Sequence, residues 1–163
     1  MAVRVVLEVA ARRSFASALD WPGWSRSGRS PGEALEQLVG YGTRYARIAK
    51  SAKVELTAPT TTRDLEVVER LRGGSGTEFG VPSTSADAES AVFTASDLDR
   101  LIRLLKAGWR AFDRAAGAAE GPQLRLGPRG GGRQAPAMVE HVREAEAAYL
   151  HQLGRKTDPS SSM

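Results

Sequence analysis

At 163 residues and 41% apolar, the chain is long enough to bury one core, or two small lobes packed together. It has no cysteine, which excludes disulfides, thiolate zinc sites and thiol nucleophiles. No apolar run reaches the roughly 20 residues of a spanning helix, and the opening Met1-Ala2-Val3-Arg4-Val5-Val6-Leu7 meets Glu8 too soon for a secretory segment, so the expected location is cytoplasmic, off the membrane. The net charge of +4 is unevenly spread: residues 1–56 carry 9 basic and 5 acidic groups, residues 57–100 carry 4 and 8, and residues 101–163 carry 10 and 6. Intramolecular complementarity accounts for basic ends around an acidic middle, and no cluster of Lys and Arg on one element marks a nucleic-acid footprint.

The β-branched run Val3 to Val9 and the alternating Ser14 to Leu19 predict two strands, a hairpin, with a short third strand from Trp24 to Gly28 after the turn Trp21-Pro22-Gly23. Ser30-Pro31-Gly32-Glu33 is a strong helix start: Ser30 caps, Pro31 sits where its missing N–H costs nothing, and Glu33 closes a capping box. A helix to about Lys50 follows, its stripe made of Ala34, Leu35, Leu38, Tyr41, Tyr45 and Ile48. Leu65 to Leu71 reads as an amphipathic strand, edge or central, with Leu65, Val67 and Glu69 alternating. Gly73 to Ser90, rich in Gly, Ser and Thr, offers little apolar surface and is expected to be a mobile loop. Thr94 or Ser96 opens the clearest helix, with Leu98, Leu101, Ile102, Leu105, Trp109, Phe112 and Ala116 as one apolar stripe. A glycine-rich connector then leads to a final helix from Pro136 to about Leu153, and the polar tail is expected to be disordered.

These elements define an α+β chain: a small N-terminal sheet with one packed helix, then a C-terminal helical pair. The expected divisions are a lobe at 1–72, a flexible connector at 73–93, a helical lobe at 94–153 and a tail at 154–163.

The opening strand Arg4–Val9, the second strand Ser14–Leu19, the turn Trp21-Pro22-Gly23-Trp24, the short strand to Gly28 and the helix announced by Ser30-Pro31-Gly32-Glu33-Ala34-Leu35 resemble the HicB-type antitoxin fold. That resemblance implies a small sheet with one helix and a protein that binds a toxin partner, some members also binding DNA through an added domain. No ribbon-helix-helix or helix-turn-helix segment is identified in this chain. In the C-terminal third, Trp109 to Leu153, the run Val139-Glu140-His141-Val142-Arg143-Glu144-Ala145-Glu146-Ala147-Ala148-Tyr149-Leu150 resembles helices of DinB-like proteins. The family is commonly a four-helix bundle with a three-histidine metal site. This chain has only His141 and His151, so the triad does not carry over.

Those two histidines lie about 80° apart around a helix and roughly 15 Å apart along it, too far to share one metal. No metal and no cofactor are expected. In the last helix Met138, Val139, Val142, Ala145, Tyr149, Leu150 and Leu153 span one arc, and Glu146 falls inside it. A carboxylate aimed at a core must find a cation or donors, and the nearest guanidinium groups in sequence are Arg129 and Arg133. Such a pairing is either a structural clamp or a pocket with a perturbed carboxylate. Arg129 and Arg133 could also hold an anion, although the run lacks the Gly-Lys-Ser/Thr ending of a phosphate-binding loop. Trp21 and Trp24 either pack beneath their turn or stack a ligand.

The first expectation is therefore a non-catalytic binding or regulatory module, antitoxin-like, with a cleft between the lobes lined by Trp21, Trp24, Arg129, Arg133, Glu146 and Tyr149. Its partner would be a protein or a small anionic ligand. The alternative is a metal-independent DinB-like small-molecule-binding protein or transferase using Glu146 as acid or base. Direct nucleic-acid binding would need Arg12, Arg13, Arg26, Arg29, Arg44 and Arg47 on one face.

Overall fold

The computed structural model describes residues 2–82, 84–119 and 134–155. They fall into two compact units, one running to Gly108 and the other starting at Trp109. The chain is α+β. In the first unit, β1 (Val3–Val9), β2 (Ser14–Ala18), β3 (Ser25–Gly28) and β4 (Leu65–Arg72) form one sheet in the order β3-β2-β1-β4. β1 and β2 pair antiparallel, β2 and β3 likewise, while β4 lies parallel to β1 and takes the edge.

Strand alternation sorts β1 onto two faces. Val3, Val5 and Leu7 point one way, with Ala16 and Ala18 beside Leu7 and Val5 across the ladder, and they bury against Trp24, Ala34 and Leu38. The helix over that face is α1 (Pro31–Gly40); α2 (Gly42–Ser51) follows it and adds Tyr45 to the same core. Ser30 Oγ accepts from the Glu33 N–H at 3.2 Å, and the Glu33 carboxylate accepts from the Arg29 N–H at 2.9 Å, which fixes where α1 begins. Gly28 ends β3 where α1 passes closest: a Cβ there would lie 2.5 Å from the Ala34 nitrogen.

The single helix expected from Ser30 to Lys50 is two. The Leu38 carbonyl accepts the Trp24 indole N–H at 3.1 Å and the Tyr41 N–H at 3.2 Å, so it is taken before the α-helical bond from Gly42 can form. Gly40 and Gly42 flank the break, and weak helix propensity on both sides lets a tertiary hydrogen bond decide the geometry.

The other face of the sheet is also covered. Val6, Glu8 and Phe15 are at most 9% exposed, and the segment after β4 reaches Glu8 on this face. That segment, called the strap below, contains a short helix, α3 (Ser75–Phe79), and a 3-10 turn at Asp87–Ser90 that packs on β4. In place of the mobile loop expected from Gly73 to Ser90, the segment thus contains two short helical turns. Its anchor is polar rather than apolar: Thr77, fully buried, donates its hydroxyl to Glu8, and the Thr84 N–H reaches the same carboxylate at 3.2 Å.

A bulge in β4 supplies the second anchor. Val5 pairs with Val67 but Val6 pairs with Glu69, so Val68 is skipped. The slip turns Glu69 away from the face that strict alternation from Leu65 and Val67 would give it. It points to the strap instead and accepts from the N–H groups of Asp87 at 3.1 Å and Ala88 at 3.0 Å.

The long helix α4 (Ala95–Ala118) begins in the first unit and ends in the second. Thr94 and Asp97 cap it reciprocally, the Asp97 N–H donating to Thr94 Oγ1 at 3.1 Å and the Thr94 N–H to the Asp97 carboxylate at 3.0 Å. The Thr94 hydroxyl also donates to the Asp97 carboxylate at 2.6 Å, and this bond first, then that from the Thr94 N–H, holds the Asp97 carboxyl below its usual range. In the second unit α5 (Ala135–Gln152) is closed off by Gly154, whose N–H returns to the His151 carbonyl while that of Arg155 returns to Leu150. No described helix is long and apolar enough to cross a membrane.

Candidate functional site

The Trp21-Pro22-Gly23-Trp24 segment is a type II turn: the Trp24 N–H donates to the Trp21 carbonyl at 3.1 Å, Pro22 takes the first central position and Gly23 the second at φ +82°. The turn sends the two tryptophans to different places. Trp24 is 2% exposed, stacked on Tyr45 with ring centroids 5.2 Å apart. Its expected place in the lining of an open cleft is therefore corrected, because the ring is a core side chain whose indole N–H serves α1. Trp21 stands edge-on to Tyr45 at 6.0 Å and carries the Arg100 guanidinium over its ring at 4.4 Å.

Tyr45 closes this cluster by donating its hydroxyl to the Pro22 carbonyl at 2.9 Å. Burial pushes its phenol up to about 12, with Arg100 pulling in the opposite direction. A phenol so placed stays neutral and structural at physiological pH. Nearby, the guanidinium of Arg26 lies 3.5 Å from the centre of the Tyr41 ring and that of Arg44 lies 5.9 Å from it. Arg12, by contrast, is held by Glu78 through its N–H at 2.7 Å and its guanidinium at 3.6 Å.

The remaining expected site residues lie elsewhere. Glu146 and Tyr149 belong to α5 in the second unit. Glu146 accepts the indole N–H of Trp109 at 2.7 Å, a contact inside that unit. Tyr149 is 67% exposed. Arg129 and Arg133, and with them the expected pairing to Glu146, lie outside the described residues.

In the first unit a surface depression of about 420 Å³ is lined by Val3, Thr57, Pro59, Thr60, Arg63 and Asp64, among others. Its carboxylate is already committed. Asp64 accepts from the N–H groups of Thr61 at 2.9 Å and Thr60 at 2.8 Å, and these bonds hold its carboxyl below the usual range. No group of three or more His, Asp and Glu among the described residues is arranged to hold a metal ion.

What sequence reasoning missed is apolar surface. The strap exposes Phe79 at 86% and Val81 at 55%, and the residues leading into α4 expose Val92 at 93% and Phe93 at 59%. The α4 stripe is also divided: Leu101, Leu104 and Ala107 pack against Ala49, Ala52 and Ile48, while Leu98, Ile102 and Leu105 stay 41 to 54% exposed. Their spacing of four and three residues is the one available signal, since it marks a seam separate from the inward face. No family model matches this chain, and neither a curated protein nor a solved structure matches it.

Proposed function

We propose that the chain is a cytoplasmic, non-catalytic binding and regulatory module, antitoxin-like, whose partner is a protein. The observation that carries this reading is the exposure of Phe79, Val81, Val92 and Phe93 on a segment whose backbone is tied down by Glu8 and Glu69. Large apolar side chains fixed in water are an interaction signature rather than a packing one. The strand-strand-strand-helix order of the first unit supports the comparison with HicB-type antitoxins drawn from the Trp21-Pro22-Gly23-Trp24 and Ser30-Pro31-Gly32-Glu33 segments.

The rival reading, a metal-independent DinB-like transferase or small-molecule binder, assigns Glu146 to proton transfer. The Trp109 indole on that carboxylate favours a clamp. A tagged pull-down with nuclease treatment, read by quantitative mass spectrometry, tests the proposal. One stoichiometric protein is expected from the native chain and is lost with the paired substitutions Phe79→Ser and Phe93→Ser. A partner retained by that variant, or no partner at all, overturns it.

A further inference from the structure

We propose that two copies of this chain associate antiparallel through the outer face of α4, Ile102 of each copy seated against Leu105 of the other. This surface is distinct from the strap, and the inference stands independently of the proposed partner.

Leu98, Ile102 and Leu105 recur at four and three residues, the spacing by which one helix presents a continuous seam to another. Their exposures of 54%, 41% and 52% set them apart from Leu104 and Ala107 on the same helix, at 5% and 0%. The inward face thus satisfies the core without them. A seam that a folded unit leaves over is a surface for a second helix.

Charge selects the occupant and its direction. Asp99 and Lys106 lie seven residues apart along one edge of the seam, with opposite signs. In an antiparallel pair that edge faces its own copy, and the stagger placing Ile102 against the second copy's Leu105 also brings Asp99 against the second copy's Lys106, twice by symmetry. A parallel pair would set that edge against the opposite one, formed by Leu101 and Gly108, which carries no charge and whose Leu101 packs on the core of the first unit. The two charged groups are differently prepared. Asp99 is held by Arg103 at 3.0 Å, itself fixed to the Lys53 carbonyl at 3.2 Å, whereas Lys106 makes no ion pair with another described residue and is free to reach across. Three half-exposed side chains per copy make a small interface, so the association is weak and reversible.

Sedimentation equilibrium of the full chain reads the result. The native chain is expected to show a reversible monomer–dimer equilibrium at submillimolar concentration. Leu105→Asp, at an exposed position, is expected to be monomeric throughout that range with the melting temperature of the native monomer. Asp99→Lys and Lys106→Glu should each weaken the dimer about tenfold. Mixing these two variants in equal amounts should restore it, because each then supplies the charge the other lacks. A native chain that stays monomeric, a dimer that survives Leu105→Asp, a mixture no tighter than its components, or a different protein found on this seam would each overturn the proposal. Loss of the strap partner through Phe79→Ser with Phe93→Ser leaves the dimer unchanged, so the two readings fail separately.

Discussion

The two faces of the sheet are sealed by different chemistry. Under α1 the seal is apolar, Val5, Leu7, Ala16 and Leu38 each being fully buried. Under the strap it is acidic: Glu8 on β1 and Glu69 on β4 accept hydroxyl and N–H groups from a segment with few apolar side chains of its own. A Gly, Ser and Thr-rich stretch is thus held in place when a sheet presents carboxylates to its unpaired donors. This also frees the strap's apolar residues, Phe79 among them, to face outward.

Four substitutions test these contacts. Leu38→Ala removes the centre of the apolar seal and leaves a cavity beneath Trp24. A loss of about 3 kcal/mol is expected in urea unfolding, with both faces failing together. Glu8→Ala attacks the acidic seal. Here the expected cost is about 2 kcal/mol, because the buried Thr77 hydroxyl loses its acceptor. Hydrogen exchange should show lost protection confined to the amides of residues 74–90 while those of α1 stay slow; uniform loss would mean that the two seals are one cooperative unit.

Tyr45→Phe tests the aromatic cluster joining α2 to the turn, and deletes the bond to the Pro22 carbonyl at a cost of about 1 kcal/mol. Its signature lies in pH. In the folded chain the phenol titrates at about 12, above the ordinary 10.0, so the unfolded chain loses that proton first. The stability linked to Tyr45 is fully present below pH 10.0 and is lost as pH rises toward 12. Melting temperature against pH should therefore fall over that window in the native protein and be flatter in the variant. The smallest effect belongs to Glu146→Gln, which keeps an acceptor for the Trp109 indole. A stability change under about 0.5 kcal/mol is expected with partner capture intact; loss of a catalytic turnover on that substitution would instead favour the transferase reading.

The apolar side of this contrast was legible because it obeys simple periods. The run Val3 to Val9 declares a strand, Ser30-Pro31-Gly32-Glu33 declares a helix start, and Leu98 to Phe112 declares a long helix. What stayed hidden depends on partners distant in sequence. The break at Tyr41 needs the indole of Trp24, which lies 14 residues before the carbonyl it captures. The orientation of Glu69 needs the register against β1, since one skipped residue in β4 reverses its face. The strap's order needs Glu8, 69 positions from Thr77.

The same division holds for the candidate surfaces. Sequence alone determined that the chain is α+β, without thiol chemistry, and that its two histidines cannot share a metal. It also marked Glu146 as a carboxylate in need of a donor, because its place on an amphipathic arc is a local property of helix geometry. Only the tertiary structure decided that, among the described residues, Trp109 donates to it, that Trp24 belongs to the core, and that the α4 stripe splits into an inward face and an outward seam. Periodicity reports that a side chain is apolar and where it sits around its own helix, whereas burial is settled by which neighbours arrive to cover it.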